Sequence, residues 1–306
     1  MAAYRNGRFC GALDSSKEVN LWDIFQWKVL QAPSRLWKRP KAIRPLESVN
    51  QIRRLTQSGD FICWLSHASF LIQLGGKRIL IDPVFGNLPF YKRQIEFPYP
   101  APTLGKIDYL LVSHAHYDHL DIPSIRAVAP HHSKAILPSG MSRLLRKVNP
   151  SIETTELHWY EEFNHEGLTI TLVPARHWSR RGVFDTNRSL WGGYLLSYNG
   201  KTIYFAGDTA EGTHFEEIGS RYDIDIALLP IGAYDPVSIM RANHLNPQQA
   251  YDAFKQLRAK KMIPMHYGTF KLSDEPLDEP LMWMKEIQQK HLEDIVILRS
   301  GEVFFV

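Results

Sequence analysis

Cysteine is nearly absent: the 306-residue chain has only two, Cys10 and Cys63. Two cannot build a disulfide framework, and neither sits in a Cys-x-x-Cys spacing. A disulfide-rich secreted scaffold and a thiolate metal knot are therefore excluded, and a reducing compartment is expected. No apolar run approaches the roughly 20 residues that span a bilayer, and no basic N-terminal stretch leads into an apolar core with a cleavage site. A cytoplasmic protein, soluble or peripheral to the membrane, is the expectation. One-sided charge is missing as well: 36 Lys and Arg against 32 Asp and Glu leave +4, with no long basic tract. No nucleic-acid partner is expected from that balance. Repeats and low-complexity tracts are also wanting. What the chain does have is 44% hydrophobic and 12% aromatic residues, enough for a sizeable buried core.

The densest chemistry lies at Ser113-His-Ala-His-Tyr-Asp-His-Leu-Asp121, directly after the apolar run Ile107 to Val112. That run is rich in large aliphatic residues and reads as a buried strand whose end delivers His114, His116, Asp118 and His119 onto one loop. Imidazole nitrogen and carboxylate oxygen suit zinc, and a catalytic zinc keeps a position open for water. Four such groups exceed one ion's usual share. Side chains at 114 and 116 share a direction in extended chain, so they fit one metal, leaving Asp118 and His119 for a second.

From Asp60 onward the pattern is of strands: Phe61 to Leu65, Ser69 to Leu74, a Gly75-Gly76 turn, Arg78 to Ile81, then the run at 107. Helical periodicity follows at 122–129 and 140–148. Strands are expected at 168–173, 190–198, 202–205 and 224–230. A helix at 247–260, with Asn246 as cap and Pro247 in its first turn, leads to a strand at 261–265. A helix at 279–290 and strands at 295–298 and 303–306 close the chain. Two groups of strands with helices attached predict an α/β fold of two mixed sheets packed face to face with helices outside. Residues 1–55 read as an aromatic and basic extension, with Trp22, Phe25, Trp27, Leu30 and Trp37 among lysines and arginines. It is expected to pack on the domain, a partner subunit or a membrane surface. Residues 56–306 form the catalytic domain.

Further ligands are expected at strand ends, where a rigid sheet positions side chains well. His177, Asp208 and His266 each follow an apolar run. The seven groups divide into His114, His116 and His177 for one ion and Asp118, His119 and His266 for another, with Asp208 and a hydroxide between them. Two zinc ions per chain about 3.5 to 4 Å apart would generate hydroxide near neutral pH.

The His-x-His-x-Asp-His run followed by these three residues resembles the metallo-β-lactamase superfamily over about residues 60 to 306. The resemblance implies an αββα sandwich with the metals at one edge of the sheets. Asp at 208, where zinc β-lactamases carry Cys, implies that β-lactams are not the substrate. His at 116 rather than Glu argues against redox iron. Narrower likenesses are Pro174-Ala-Arg-His-Trp-Ser-Arg-Arg, Asp185-Thr-Asn-Arg-Ser-Leu-Trp-Gly-Gly, Phe205-Ala-Gly-Asp-Thr, Pro230-Ile-Gly-Ala-Tyr, Met240-Arg-Ala-Asn-His, Trp64-Leu-Ser-His-Ala-Ser-Phe and Gly7-Arg8-Phe9. Together they resemble the N-acylphosphatidylethanolamine-hydrolysing phospholipase D family. That resemblance implies a zinc phosphodiesterase acting on such lipids, and a homodimer.

In this reading Asp118 and His244 are catalytic, His244 as the acid that protonates the leaving alcohol. Arg180, Arg181, Arg188, Trp178 and Trp191 are expected to bind substrate, through guanidinium forks to phosphate or as a wall for an acyl chain. His67 and Asp82 are expected to orient ligands by hydrogen bonds. A lactonase or other ester hydrolase acting on a soluble, sugar-phosphate-like substrate is the rival enzyme reading, because the same dimetal hydroxide attacks carbonyl carbon. A metal-stabilised binding module without catalysis is the non-enzyme alternative.

Overall fold

The strands come in two runs, and each run gathers into its own sheet. The computed structural model describes residues 2–11, 46–128 and 132–306. The first sheet orders β15-β3-β4-β5-β6-β7-β8, from β3 (Phe61–Ser66), β4 (Ser69–Leu74), β5 (Lys77–Ile81), β6 (Ile107–Leu111), β7 (His132–Pro138), β8 (Thr154–Leu157) and β15 (Val303–Phe305). The second orders β14-β13-β12-β11-β10-β9, from β9 (Glu162–His165), β10 (Leu168–Val173), β11 (Gly193–Tyr198), β12 (Lys201–Phe205), β13 (Ile226–Pro230) and β14 (Lys261–Met265). A short hairpin of β1 (Ala3–Arg5) and β2 (Arg8–Cys10) stands apart from both sheets.

Alternation along β3 sets the layers, because successive side chains point to opposite faces. Ile62 and Trp64 join the cluster shared with Ile170, Leu172, Tyr194 and Leu196 of the second sheet. Phe61, Cys63 and Leu65 turn the other way and meet Ile125 and Val128 of α1 (Ile122–Val128) and Leu145 of α2 (Ser142–Arg146). The remaining helices are α3 (His214–Arg221), α4 (Val237–Met240), α5 (Pro247–Leu257) and α6 (Glu279–Lys290). Phe215, Phe254 and Met284 carry α3, α5 and α6 into the cluster that contains the second sheet. The result is the expected sandwich of two mixed sheets with helices outside.

Parallel pairing decides where chemistry can gather. β5, β6 and β7 run parallel in one sheet, and β12, β13 and β14 run parallel in the other. Open α/β sheets collect their ligands at the carboxyl ends of such strands. Asp82, the loop from Ser113, Asp208 and His266 all lie just past those ends.

Several expected elements differ. Residues 295–298 make only an isolated bridge from Ile295 to Met262 rather than a strand. β11 begins at Gly193, because the main-chain N–H groups of Leu190 and Gly192 are taken by Ser139 and Ser113 of the first sheet's loops. Helix α5 stops at Leu257, where Arg258 adopts a left-handed φ of 54°. Strands β7, β8 and β9 and helices α3 and α4 had no counterpart in the periodicity. Most of the 1–55 extension, including its aromatic residues from Trp22 to Trp37, lies outside the described residues. No described helix is long and apolar enough to cross a membrane.

Candidate metal centre

Two of the imidazoles, those of His119 and His177, are aimed by a bond on the far side of the ring. His119 Nδ1 donates to Asp82 Oδ2 at 2.7 Å, which turns its Nε2 toward Asp208 Oδ2 at 3.2 Å. Asp82 is itself fixed by the Ser113 N–H and hydroxyl at 2.7 and 2.6 Å. His177 Nδ1 donates to the Asn243 carbonyl at 3.1 Å, so its Nε2 faces inward, 3.2 Å from His116 Nδ1. His114 Nε2 lies 2.8 Å from that same His116 nitrogen. One group therefore presents Nε2 of His114 and His177 but Nδ1 of His116.

Asp208 stands between two sets. Its Oδ2 is 3.8 Å from both His114 and His177, and its Oδ1 is 3.1 Å from His266 Nε2. Asp118 Oδ2 closes the second set, 3.7 Å from His119 Nε2 and 3.5 Å from His266 Nε2. Ligand atoms of His114, His116, His177 and Asp208 lie within 4.8 Å of one another, as do those of His67, Asp118, His119 and His266. All seven residues expected as ligands thus converge. His67 joins them, donating to Asp118 at 3.1 Å and lying tilted against His266 with ring centroids 4.1 Å apart.

The electrostatics call for cations. Burial disfavours charge on every one of these groups, yet Asp118 and Asp208 are held well below the usual carboxylate range by His119 and His266. In return burial is overcome at His119, lifted well above an ordinary histidine by Asp208, Asp118 and Asp82, and at His266, lifted to about 9 by Asp208 and Asp118. Burial wins at His114 and His177, pushed well down, and at His116, pushed down to about 4. Buried nitrogens of His116, His119 and His266 and one oxygen of Asp208 have no hydrogen-bond partner. Buried polar atoms are rarely left so. A nitrogen and oxygen donor set with orphaned atoms fits a pair of divalent ions, which would take the place of the protons on His119 and His266.

Left-handed backbone recurs around the centre. His67, Asp82, Ala233 and His266 adopt φ of 52°, 43°, 66° and 61°, a region that non-glycine residues enter at a cost and that clusters at functional sites. Glu275 supports one such turn, accepting the N–H groups of Ala233 and Asp235 at 2.7 and 3.1 Å.

The expected substrate residues divide. Trp178 packs edge-on against His116 at 4.4 Å between centroids, and Arg180 lies over Trp178 at 5.1 Å. Arg181 donates to the Leu120 carbonyl and covers the Tyr117 ring at 3.8 Å, so it braces the loop that carries His114 to His119. Trp191 is a correction. It is 3% exposed within the inter-sheet core, donates to the Ala175 carbonyl and meets Trp159 edge-on, so it is structural. Arg188 is exposed, and its backbone N–H donates to the Asp185 carbonyl at 3.0 Å. His244 does reach the centre, with Nδ1 3.9 Å from Asp208 Oδ2 and its ring stacked on His266.

Sequence reasoning missed Ser113, Ser179 and His214. His214 is fully buried six positions after Asp208 and shares a 3.0 Å hydrogen bond with Thr209. Nothing in its neighbours distinguishes it from a surface histidine.

Residues 77–267 match the family described as the beta-lactamase superfamily domain. Among curated proteins, N-acyl-phosphatidylethanolamine-hydrolyzing phospholipase D 1 of Caenorhabditis elegans is 32% identical over 294 residues, spanning 87% of this chain and 83% of that protein. Igni18, a metallo hydrolase from Ignicoccus hospitalis, superposes with a TM-score of 0.62 at 23% identity over 81% of this chain and 99% of its own. CmlA, a diiron beta-hydroxylase from Streptomyces venezuelae, does so with a TM-score of 0.63 at 18% identity, over 82% and 55%. At such identities the two structures share the fold, and the fold by itself does not select the metal.

Proposed function

This chain belongs to the β-lactamase superfamily and is a metal-dependent hydrolase of it; from that premise we propose a phosphodiesterase of phospholipase D type, acting on N-acylphosphatidylethanolamine-like lipids with two zinc ions. The observation that carries the reading is the placement of Asp208 between two sets: in one, His114 Nε2 and His177 Nε2 crowd His116 Nδ1, and in the other the Nε2 atoms of His119 and His266 lack partners. His114, His116 and His177 would hold one ion, and Asp118, His119 and His266 the other, with Asp208 shared. When bound, such a pair supplies a water acidified to near-neutral pKa and positive charge for a displacement at phosphorus.

The chain's own residues do the rest. Asp82 and the Asn243 carbonyl hold His119 and His177 in one tautomer each. His244 is the proton carrier. Burial pushes it down to about 4, so it enters the reaction neutral, with one nitrogen bare and one carrying hydrogen. It takes the proton that the attacking water releases and returns one to the departing alcohol oxygen, so no net charge accumulates.

Lipid as substrate is supported by the loop after His177. Val183 and Phe184 stand 81% exposed there, a few residues past Arg180 and Trp178. Apolar tips beside a cation suit an acyl chain and a phosphate. The likeness to the Caenorhabditis elegans phospholipase supports the same substrate class.

The test uses the zinc-loaded chain with mixed micelles containing N-acylphosphatidylethanolamine, and in parallel with bis(p-nitrophenyl) phosphate and a simple lactone, each with and without chelator. Chelator-sensitive release of phosphatidic acid and N-acylethanolamine is expected. Lactone opening without phosphodiester cleavage would overturn the proposal.

A further inference from the structure

Ala115 sits between two of the metal-facing histidines, and its backbone N–H points away from the centre. It donates to Ser179 Oγ at 3.1 Å, across 64 residues of sequence. Ser179 is fully buried, and its hydroxyl also meets Ser189 Oγ at 2.8 Å. The next link is Asn187. Its side-chain oxygen accepts the Ser179 N–H at 3.1 Å, and its own N–H donates to the Ser179 carbonyl at 2.7 Å. This two-way clasp closes the loop that carries Trp178 and Arg180, with Asn187 at a left-handed φ of 56° that Asn tolerates better than most residues.

The clasp is held from outside by the N-terminal hairpin. The Asn187 carbonyl accepts the Phe9 N–H at 2.7 Å, and Arg8 Nη1 donates to the neighbouring Thr186 carbonyl at 3.0 Å. Phe9 is buried within the inter-sheet core, with His158 5.8 Å away between ring centroids. Its ring anchors a hairpin that is otherwise exposed along both strands.

We propose that Ser179 and Asn187 are positioning residues for the metal centre, setting the backbone between His114 and His116, and that the Ala3–Cys10 hairpin locks them. The hairpin then controls metal affinity although it touches no ligand. This rests on the reading of His114, His116 and His177 as metal ligands. A group that orients a ligand from behind is worth about tenfold to a hundredfold in metal affinity when removed.

The experiment measures zinc affinity by chelator competition, and the visible spectrum of the cobalt-substituted protein, for the full chain and five variants. Ser179→Ala and Asn187→Gly should each weaken one of the two zinc sites by about tenfold or more and alter the cobalt bands. Asn187→Asp keeps the accepting oxygen and should restore most of that affinity. Phe9→Ala should weaken the same site severalfold through the hairpin alone. An Ile287→Ala variant, altered in the core beneath α6, should lower Tm without moving either zinc affinity, which separates positioning from plain destabilisation. If Ser179→Ala, Asn187→Gly and Phe9→Ala all bind both zinc ions as the parent does, or lose affinity only in proportion to Tm, the proposal is overturned. If the parent itself binds no zinc, the reading of the metal centre fails first.

Discussion

At the scale of single residues the centre is a problem of charge burial, and its solution is written in hydrogen bonds. Asp82 accepts three donors, from Ser113 N, Ser113 Oγ and His119 Nδ1. Asp82→Asn should preserve the left-handed backbone yet replace one acceptor with a donor, misorienting His119. A loss of about tenfold to a hundredfold in zinc affinity by chelator competition is the expected outcome. His244 differs, because the proposed mechanism gives it a proton to carry rather than a metal to hold. His244→Asn should leave zinc content intact while lowering kcat by about a hundredfold to ten-thousandfold. A drop in bound zinc instead would make His244 a ligand.

His214 gives a residue-scale prediction about pH. Burial first, and the nearby Arg176 charge second, push it from an ordinary 6.5 down to about 3. The folded protein therefore keeps it neutral in a range where the unfolded chain protonates it. Between those two values the unfolded state binds more protons, so stability is complete above about 6.5 and is lost as pH falls toward 3. In the chelated protein, Tm of the parent relative to His214→Gln should shrink between pH 7 and pH 5. A constant difference across that range would show that His214 titrates normally.

At the scale of elements, what was legible followed from locality. The ligands at 114 to 119 are adjacent in sequence, and His177, Asp208 and His266 announce themselves by following apolar runs. Trp191 was misread because a tryptophan beside Gly192 and Gly193 fits a pocket wall as well as a core, and only packing against Trp159 decides. Ser179 and Asn187 were invisible because serine and asparagine are common in loops, and Ala115, which Ser179 meets, and Phe9, which Asn187 meets, lie far away in sequence. Strand β7 was missed because its polar start, His-Ser-Lys, hides the apolar run behind it. Helix α5, by contrast, was announced by its cap. Asn246 accepts the Gln249 N–H at 2.9 Å and Gln249 Oε1 accepts the Asn246 N–H at 3.0 Å. Asn246→Ala should cost about 1 kcal/mol in a denaturant titration. Because His244 lies two positions earlier, kcat should fall with it, while an unchanged kcat would show that the turn is held from elsewhere.

At the scale of the molecule, two sheets bury their central strands between them and behind helices, and their parallel portions end on a common edge. That edge is where two carboxylates and their histidines are forced out of water together. The fold subsidises this cost with Asp82, the Asn243 carbonyl and the Ser179 clasp, all anchored in or against the sheets. The central claim is that the edge holds two metal ions. Elemental analysis of the purified chain, equilibrated with zinc and freed of loosely bound ions, tests it most directly. Two zinc ions per chain are predicted, with phosphodiester cleavage lost on chelation and regained on adding zinc. No retained zinc, with the folded protein inert toward phosphodiesters after zinc addition, would contradict it.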